Sequence, residues 1–184
     1  MGLDMYLAKK TYVKNWDHMK PENKHQITVK KGDMIRGEIK PERISHIVEE
    51  VAYWRKANHI HQWFVENVQE DNDDCKEYYV SREKLEELLD TCKTVLAASK
   101  LIDGKISNGY TFTKTGKKKP IIVDGRLIED PSVAKELLPT TEGFFFGSTD
   151  YDEYYFEAIQ DTIEMLEPLL READDGSFYY HSSW

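Results

Sequence analysis

Leu3, Met5 and Leu7 alternate with Asp4, Tyr6 and Ala8, the two-residue period of a strand with one buried face. Residues 14–40 are polar and broken by proline and glycine, so they predict mostly loop, with a short strand at 26–29. After Pro41 the spacing changes. Ile44, Ile47, Val48, Val51, Trp54, Ala57, His61, Phe64, Val65 and Val68 recur at three and four, which predicts one long helix ending at the acidic run 70–74. EYYV (77–80) predicts a short strand. Ser81 then caps a second helix, with Glu83 in its first turn and a stripe of Leu85, Leu88, Leu89, Cys92, Val95 and Leu96.

Between 103 and 130 the pairs Asp103-Gly104, Asn108-Gly109 and Asp124-Gly125 punctuate β-rich pieces and predict two hairpins. GFFFG (143–147) predicts a compact apolar strand. A third long helix is expected to start at Ser148-Thr149, on a core stripe of Tyr151, Tyr155, Ala158, Ile159, Thr162, Leu166 and Leu169. Pro168 should kink or cut its last turn. SFYYHSSW (177–184) closes the chain with a strand paired into the sheet. These elements predict a single α+β domain over residues 1–184, a mainly antiparallel sheet packed against three helices.

Composition narrows the class. With 184 residues, 40% hydrophobic and 12% aromatic, the chain can bury a core unaided despite a charged fraction of 32%. Cys75 and Cys92 form neither a CxxC nor a zinc pattern and suit a reducing compartment. In MGLDMYLAKK the lysines follow the apolar run, the reverse of a secretory signal, and no run of about 18 apolar residues is present. The expectation is a cytoplasmic protein away from the membrane. The net charge of −9 is unevenly placed. Residues 148–175 hold ten carboxylates (Asp174 and Asp175 among them) against Arg171 alone, whereas 99–126 hold seven Lys or Arg against two Asp. The broad basic footprint of a nucleic-acid binder is missing, so no direct nucleic-acid contact is expected.

Candidate chemistry concentrates in YWRKANHIHQWF (53–64). On a helix at about 100° per residue, Trp54, Arg55, Asn58 and His61 fall on adjoining directions against the core. A buried amide or imidazole left unpaired costs about 1–3 kcal/mol, so each needs a partner. Either Asn58 and His61 bond to sheet backbone while Arg55 pairs a carboxylate such as Asp4, or the group lines a ligand pocket. His59 points elsewhere, towards solvent.

Gly147-Ser148-Thr149 has the form of an anion-binding helix start, but Asp150, Asp152 and Glu153 follow at once and overwhelm the half charge of the helix end. Ser148 and Thr149 are therefore read first as capping residues. Glu153, Glu157, Asp161 and Glu164 form an acidic ladder opposite the core stripe, either merely solvated or a face for a basic partner. Asp71, Asp73 and Asp74 lack the glycine and distal glutamate of a calcium loop, and His59-x-His61 straddles a helix, so no metal is expected. No GxSxG and no P-loop frame is present, and no cofactor is expected.

The blocks MGLDMYL, YWRKANHIHQWFV, CKEYYVSREKLEELLDTC, GFFFGSTDYDEYY and FYYHSSW together resemble a family of uncharacterised bacteriophage and bacterial mobile-element proteins. The resemblance implies a small accessory protein made inside a bacterial cell. It brings no activity and no catalytic residue. Such accessory proteins are often modulators of host or defence components, a fold-independent analogy.

Three functions follow as expectations. The first is a binding protein, using the acidic face Glu153/Glu157/Asp161/Glu164 on a basic host or defence protein, or Trp54, Arg55, Asn58 and His61 on a nucleotide-like small molecule. In the second version an aromatic stacks on the base and Arg55 meets phosphate. An alternative is a small hydrolase or transferase with His61 as general base, oriented by Asp4, and Arg55 stabilising developing charge. The third is a structural protein whose buried polar groups pair only with one another.

Overall fold

The opening alternation becomes strand β1 (Asp4–Tyr12), in which Met5 and Leu7 are fully buried and Tyr6 faces the other side. The computed structural model describes residues 2–143, 145–172 and 176–184. Phe144, Asp174 and Asp175, which enter the sequence reading above, lie outside the described residues. The closing strand β8 (Ser177–Ser183) pairs antiparallel with β1, setting Met5 opposite Ser182 and Lys9 opposite Phe178. A strand β4 (His46–Arg55) pairs on the other side of β1, and β5 (Tyr78–Val80) on the other side of β8. The resulting four-stranded antiparallel sheet has the order β4-β1-β8-β5.

Alternation then assigns the two faces. Leu7, Trp54, Val80, Phe178 and Tyr180 are buried on one. On the other, Tyr53, Tyr6 and His181 stand side by side across three strands, with Tyr6 and His181 stacked at 4.8 Å. The buried face is covered by α1 (Asn58–Asn67), α2 (Arg82–Ala98) and α4 (Glu153–Leu169), together with the short α3 (Ser132–Leu137). The protein has an α+β fold. Ser81 accepts from Lys84 N at the start of α2, as its position predicts, and Leu85, Leu88, Leu89, Cys92 and Val95 are buried. Pro168 sits in the last turn of α4, which ends at Leu169.

Five expectations are corrected. The long helix after Pro41 is instead the strand β4 followed by the shorter α1. Ile47, Val48 and Val51 fit a helical period, but β-branched side chains also suit a pleated surface, and the unpaired edge of β1 claims them. Ile47 and Val48 are 42% and 60% exposed, against a core-facing helical role, while Val51 is half-buried. The chain changes direction at Lys56, whose φ of +58° is left-handed and whose N–H bonds Leu3 O at 2.8 Å.

The strand expected at 26–29 is absent. A two-residue hairpin of β2 (Lys30–Lys31) and β3 (Met34–Ile35) lies just beyond it, turning at Gly32. One long hairpin replaces the predicted two, β6 (Leu101–Phe112) with β7 (Lys118–Ile128). Gly104 and Gly125 are opposite each other within it, not at turns; a Cβ on Gly125 would sit 2.4 Å from Ile106 Cδ1, so both glycines make room for the hairpin's own side chains. Finally, the described part of GFFFG is loop, and α4 starts at Glu153 instead of 148–149, because Asp152 takes the cap position by accepting from Tyr154 N and Tyr155 N.

Trp54 joins the sheet to α4: its indole N–H donates to Thr162 Oγ1 at 2.9 Å, both side chains being buried. Replacing Thr162 by Val leaves that N–H without an acceptor. The expected cost is about 1–3 kcal/mol, read as a lower urea midpoint, while Thr162→Ser stays near wild type.

Candidate functional site

The turn at Lys56 places the start of α1 beside the start of α4. Between them lies a cavity of about 610 Å³. Arg55 and Lys56 reach it from the end of β4, and Asn58 and His59 from the first turn of α1. The α4 end supplies Asp152, Tyr154, Tyr155 and Ala158. One wall is the β6 segment from Ser107 to Tyr110 with Phe112, and the other is a loop segment including Phe145, Phe146, Gly147, Ser148 and Asp150. The volume is in the range of small-molecule sites, and six of the lining residues are Tyr or Phe.

Asn58 builds the loop wall. Its Nδ2 donates to Ser148 O at 2.8 Å and Phe146 O at 3.2 Å, and its Oδ1 accepts from Thr141 N at 3.1 Å. One buried amide thus fixes both sides of the loop. Gly147 completes the approach: its φ is +101°, and a Cβ there would lie 3.0 Å from Lys56 O. Phe145 also has a left-handed φ, +65°, and stays 53% exposed at the cavity. Non-glycine residues in that region cost of the order of 1 kcal/mol or more, and Lys56 and Phe145 both lie here.

The floor carries two buried polar atoms with no partner among the described residues, His59 Nε2 and Asp152 Oδ2. His59 is 3% exposed and Asp152 1%. Tyr155 joins them. Its ring centroid lies 4.2 Å from that of His59, and its N–H bonds Asp152 Oδ1 at 3.1 Å. Burial pushes the His59 imidazole down to about 3, so it is neutral at ordinary pH. Burial also pushes the Asp152 carboxyl up, against the two amide bonds to its other oxygen, which act the opposite way.

The residues singled out along the sequence are divided by this geometry. Arg55 and Asn58 line the cavity, as do Gly147 and Ser148, while Trp54 and His61 do not. Trp54 and Arg55 are neighbours on a strand, so their side chains leave from opposite faces. Arg55 Nε lies 3.9 Å from Asp4 Oδ1, and the same Asp4 oxygen accepts from Tyr53 O–H.

His61 is 1% exposed and occupied at both nitrogens, with Nε2 3.1 Å from Asp73 Oδ2 and Nδ1 2.8 Å from Tyr180 Oη. An ionised carboxylate only accepts, so neutral His61 carries its proton on Nε2 and accepts from the tyrosine. Its partners are side chains of β8 and the loop after α1, not sheet backbone, and Asp73 stands where Asp4 was expected. Burial lowers the His61 pKa, with Asp73 pulling the other way. Asp73 Oδ1 also accepts from Trp184 Nε1 at 3.1 Å, so the triad closes the end of the chain onto the core.

His59, expected in solvent, is instead the cavity floor. Because α1 starts at Asn58, His59 lies in its first turn, with its ring against Tyr155 of α4. Asp152 is legible in the sequence as an acidic residue before EYYF, but the burial of its second oxygen is not. Glu157, Asp161 and Glu164 are exposed, with no ion pair among the described residues, whereas Glu153 is engaged by Arg126 Nε at 3.0 Å. Cys92 is buried, its thiol pushed up to about 12 by burial, which leaves it inert as a nucleophile. Among the described residues no cluster of three or more His, Cys, Asp or Glu could hold a metal, and no helix is long and apolar enough to cross a membrane.

No protein-family model, curated protein or solved structure matches this chain. The functional reading therefore rests on the site itself.

Because His59 is held near 3 in the folded protein against 6.5 when unfolded, the unfolded chain binds more protons between those values. Stability should fall as the pH drops from about 6.5 towards 3, by roughly 1.4 kcal/mol per pH unit from this histidine. His61, shifted in the same direction, adds to the loss. Urea titrations at several pH values should show His59→Gln with a slope shallower by about that amount; an unchanged slope counts against a buried neutral His59.

Proposed function

We propose that the protein binds a nucleotide-like small molecule in the cavity between α1, α4 and the β6–β7 hairpin. The observation that carries this reading is the cavity itself, about 610 Å³, with six Tyr and Phe residues and the cations Arg55 and Lys56 in its lining. The aromatic walls suit a flat ring. Arg55 and Lys56 at the cavity suit an anionic group, and α1 beside them has Ala57 at its cap position, which offers no side-chain bond to the helix's positive end. Of the residues expected for this role, Arg55 keeps the phosphate and Asn58 becomes the builder of the wall. Stacking passes from Trp54 to residues such as Phe145 and Tyr154.

Binding is favoured over catalysis by the same geometry. His61, the expected general base, is enclosed by its two partners, and a His59 held near 3 is a weak base. The test is titration of the protein with nucleoside monophosphates, followed by calorimetry. Binding in the micromolar range is expected, with Arg55→Ala weakening it about tenfold or more through loss of a charge-assisted contact. No heat with any of them sinks the reading.

A second reading is favoured by the exposed Glu157, Asp161 and Glu164, which have no cation of their own among the described residues. In the phage-like setting that the sequence resemblance implies, this face of α4 docks a basic surface of a host or defence protein. Such association should weaken steeply with salt and disappear in Glu157→Gln/Asp161→Asn/Glu164→Gln. Association that survives the triple substitution removes this reading.

A further inference from the structure

One wall of the cavity belongs to an element that is anchored along only half its length. The base of the β6–β7 hairpin is fixed to the body: Ile106 and Ile128 are buried, Ile128 N donates to Tyr151 O at 2.9 Å, and Leu127 bridges to Asp152. Beyond this base the anchoring stops. From residue 108 to residue 122 every described side chain is exposed. A two-stranded ribbon without a core is marginal in water, and segments with few buried contacts open most easily.

The boundary between the two halves is a β-bulge. The register shifts between Ser107 and Tyr110, and Gly109 between them has a φ of +84°. Gly104 and Gly125 make room for neighbouring side chains, but a Cβ on Gly109 would meet nothing within 4 Å, so this glycine serves the backbone angle alone. Bulges bend and twist the strand that carries them, which gives the ribbon a bending point where it passes the cavity. Just beyond that point Tyr110 and Phe112 line the cavity, and Phe112 is nonetheless 71% exposed. The same half carries Lys114, Lys117 and Lys119, exposed and with no ion pair among the described residues.

We propose that residues 108–122 form a strap that bends at Asn108-Gly109 over an anionic aromatic ligand in the cavity, with Phe112 as the side chain that closes on the ring. In the open strap Phe112 lies in water and the three lysines have no counter-charge of their own. A nucleotide offers a ring face to the first and phosphate charge to the others, so the closed strap gains contacts that the open one lacks. The inference rests on the nucleotide-binding reading above and adds to that site a moving part and the residue that covers the ligand.

The experiment is hydrogen–deuterium exchange of the full chain with and without saturating AMP, beside calorimetric titration of Phe112→Ala and Phe112→Trp with AMP. On binding, the amides of residues 117–122 should exchange roughly tenfold or more slowly, although none of the described residues there lines the cavity. Phe112→Ala should weaken AMP about tenfold, and Phe112→Trp should bind within about twofold of wild type. Phe112 is exposed in the free protein, so neither substitution reaches the core.

If no nucleoside monophosphate binds, the nucleotide reading falls and the strap with it. If AMP binds but protection is confined to residues 107–112, or spreads evenly over the whole hairpin, only the strap is overturned. It is also overturned if Phe112→Ala binds AMP as tightly as wild type. The exchange measurement uses the unsubstituted protein, so it decides the question whatever the variants do.

Discussion

The pairing of β1 with β8 is the constraint on which the rest of the structure depends. Residues 4–10 and 177–183 form the two central strands of the sheet, so every other element is placed relative to a contact between segments more than 160 residues apart in the chain. Closing so long a loop costs entropy before any packing is gained, and the return is a continuous apolar face of Met5, Leu7, Phe178 and Tyr180. Asp73 strengthens it from outside the sheet, holding Trp184 with one oxygen and His61 with the other. Because β4 pairs on the free edge of β1, the same contact determines where the chain turns into α1. The cavity is thus a consequence of sheet registration.

Within that frame one residue translates sheet order into site geometry. Asn58 lies two residues after the left-handed Lys56 and holds three backbone groups of the loop before α4. The loop in turn leaves α4 to be capped by Asp152, whose backbone also bridges to Leu127 of β7. The floor, the loop wall and the hairpin wall therefore share a few polar links, each of which would be costly to leave unmade in a buried setting.

The long stretch around YWRKANHIHQWF shows how far the sequence could be read. It was identifiable as chemically unusual because Arg, Asn and His interrupt an otherwise apolar period. Its helical assignment failed for residues 46–55 because spacings of three and four occur by coincidence in a strand rich in β-branched residues. That one error scattered the predicted cluster: Trp54 and His61 belong to the core, Arg55 and Asn58 to the cavity. The neighbouring His59, set aside as solvated, became its floor. The two expected hairpins fail for a related reason, since Asp-Gly pairs signal turns only when the strands on either side do not already run past them.

What the sequence determined by itself was local. Alternation marks β1 and β8, a serine followed by a leucine stripe marks α2, and the aromatic and leucine positions of α4 mark its buried face; each needs only the periodicity of one element. The tertiary structure alone decided which polar groups meet. His61 finds Tyr180 and Asp73, and Trp54 finds Thr162, across separations no local period encodes. His59 Nε2 and Asp152 Oδ2 have no partner among the described residues for the same reason: burial is a property of several elements closing together, and no local period encodes it.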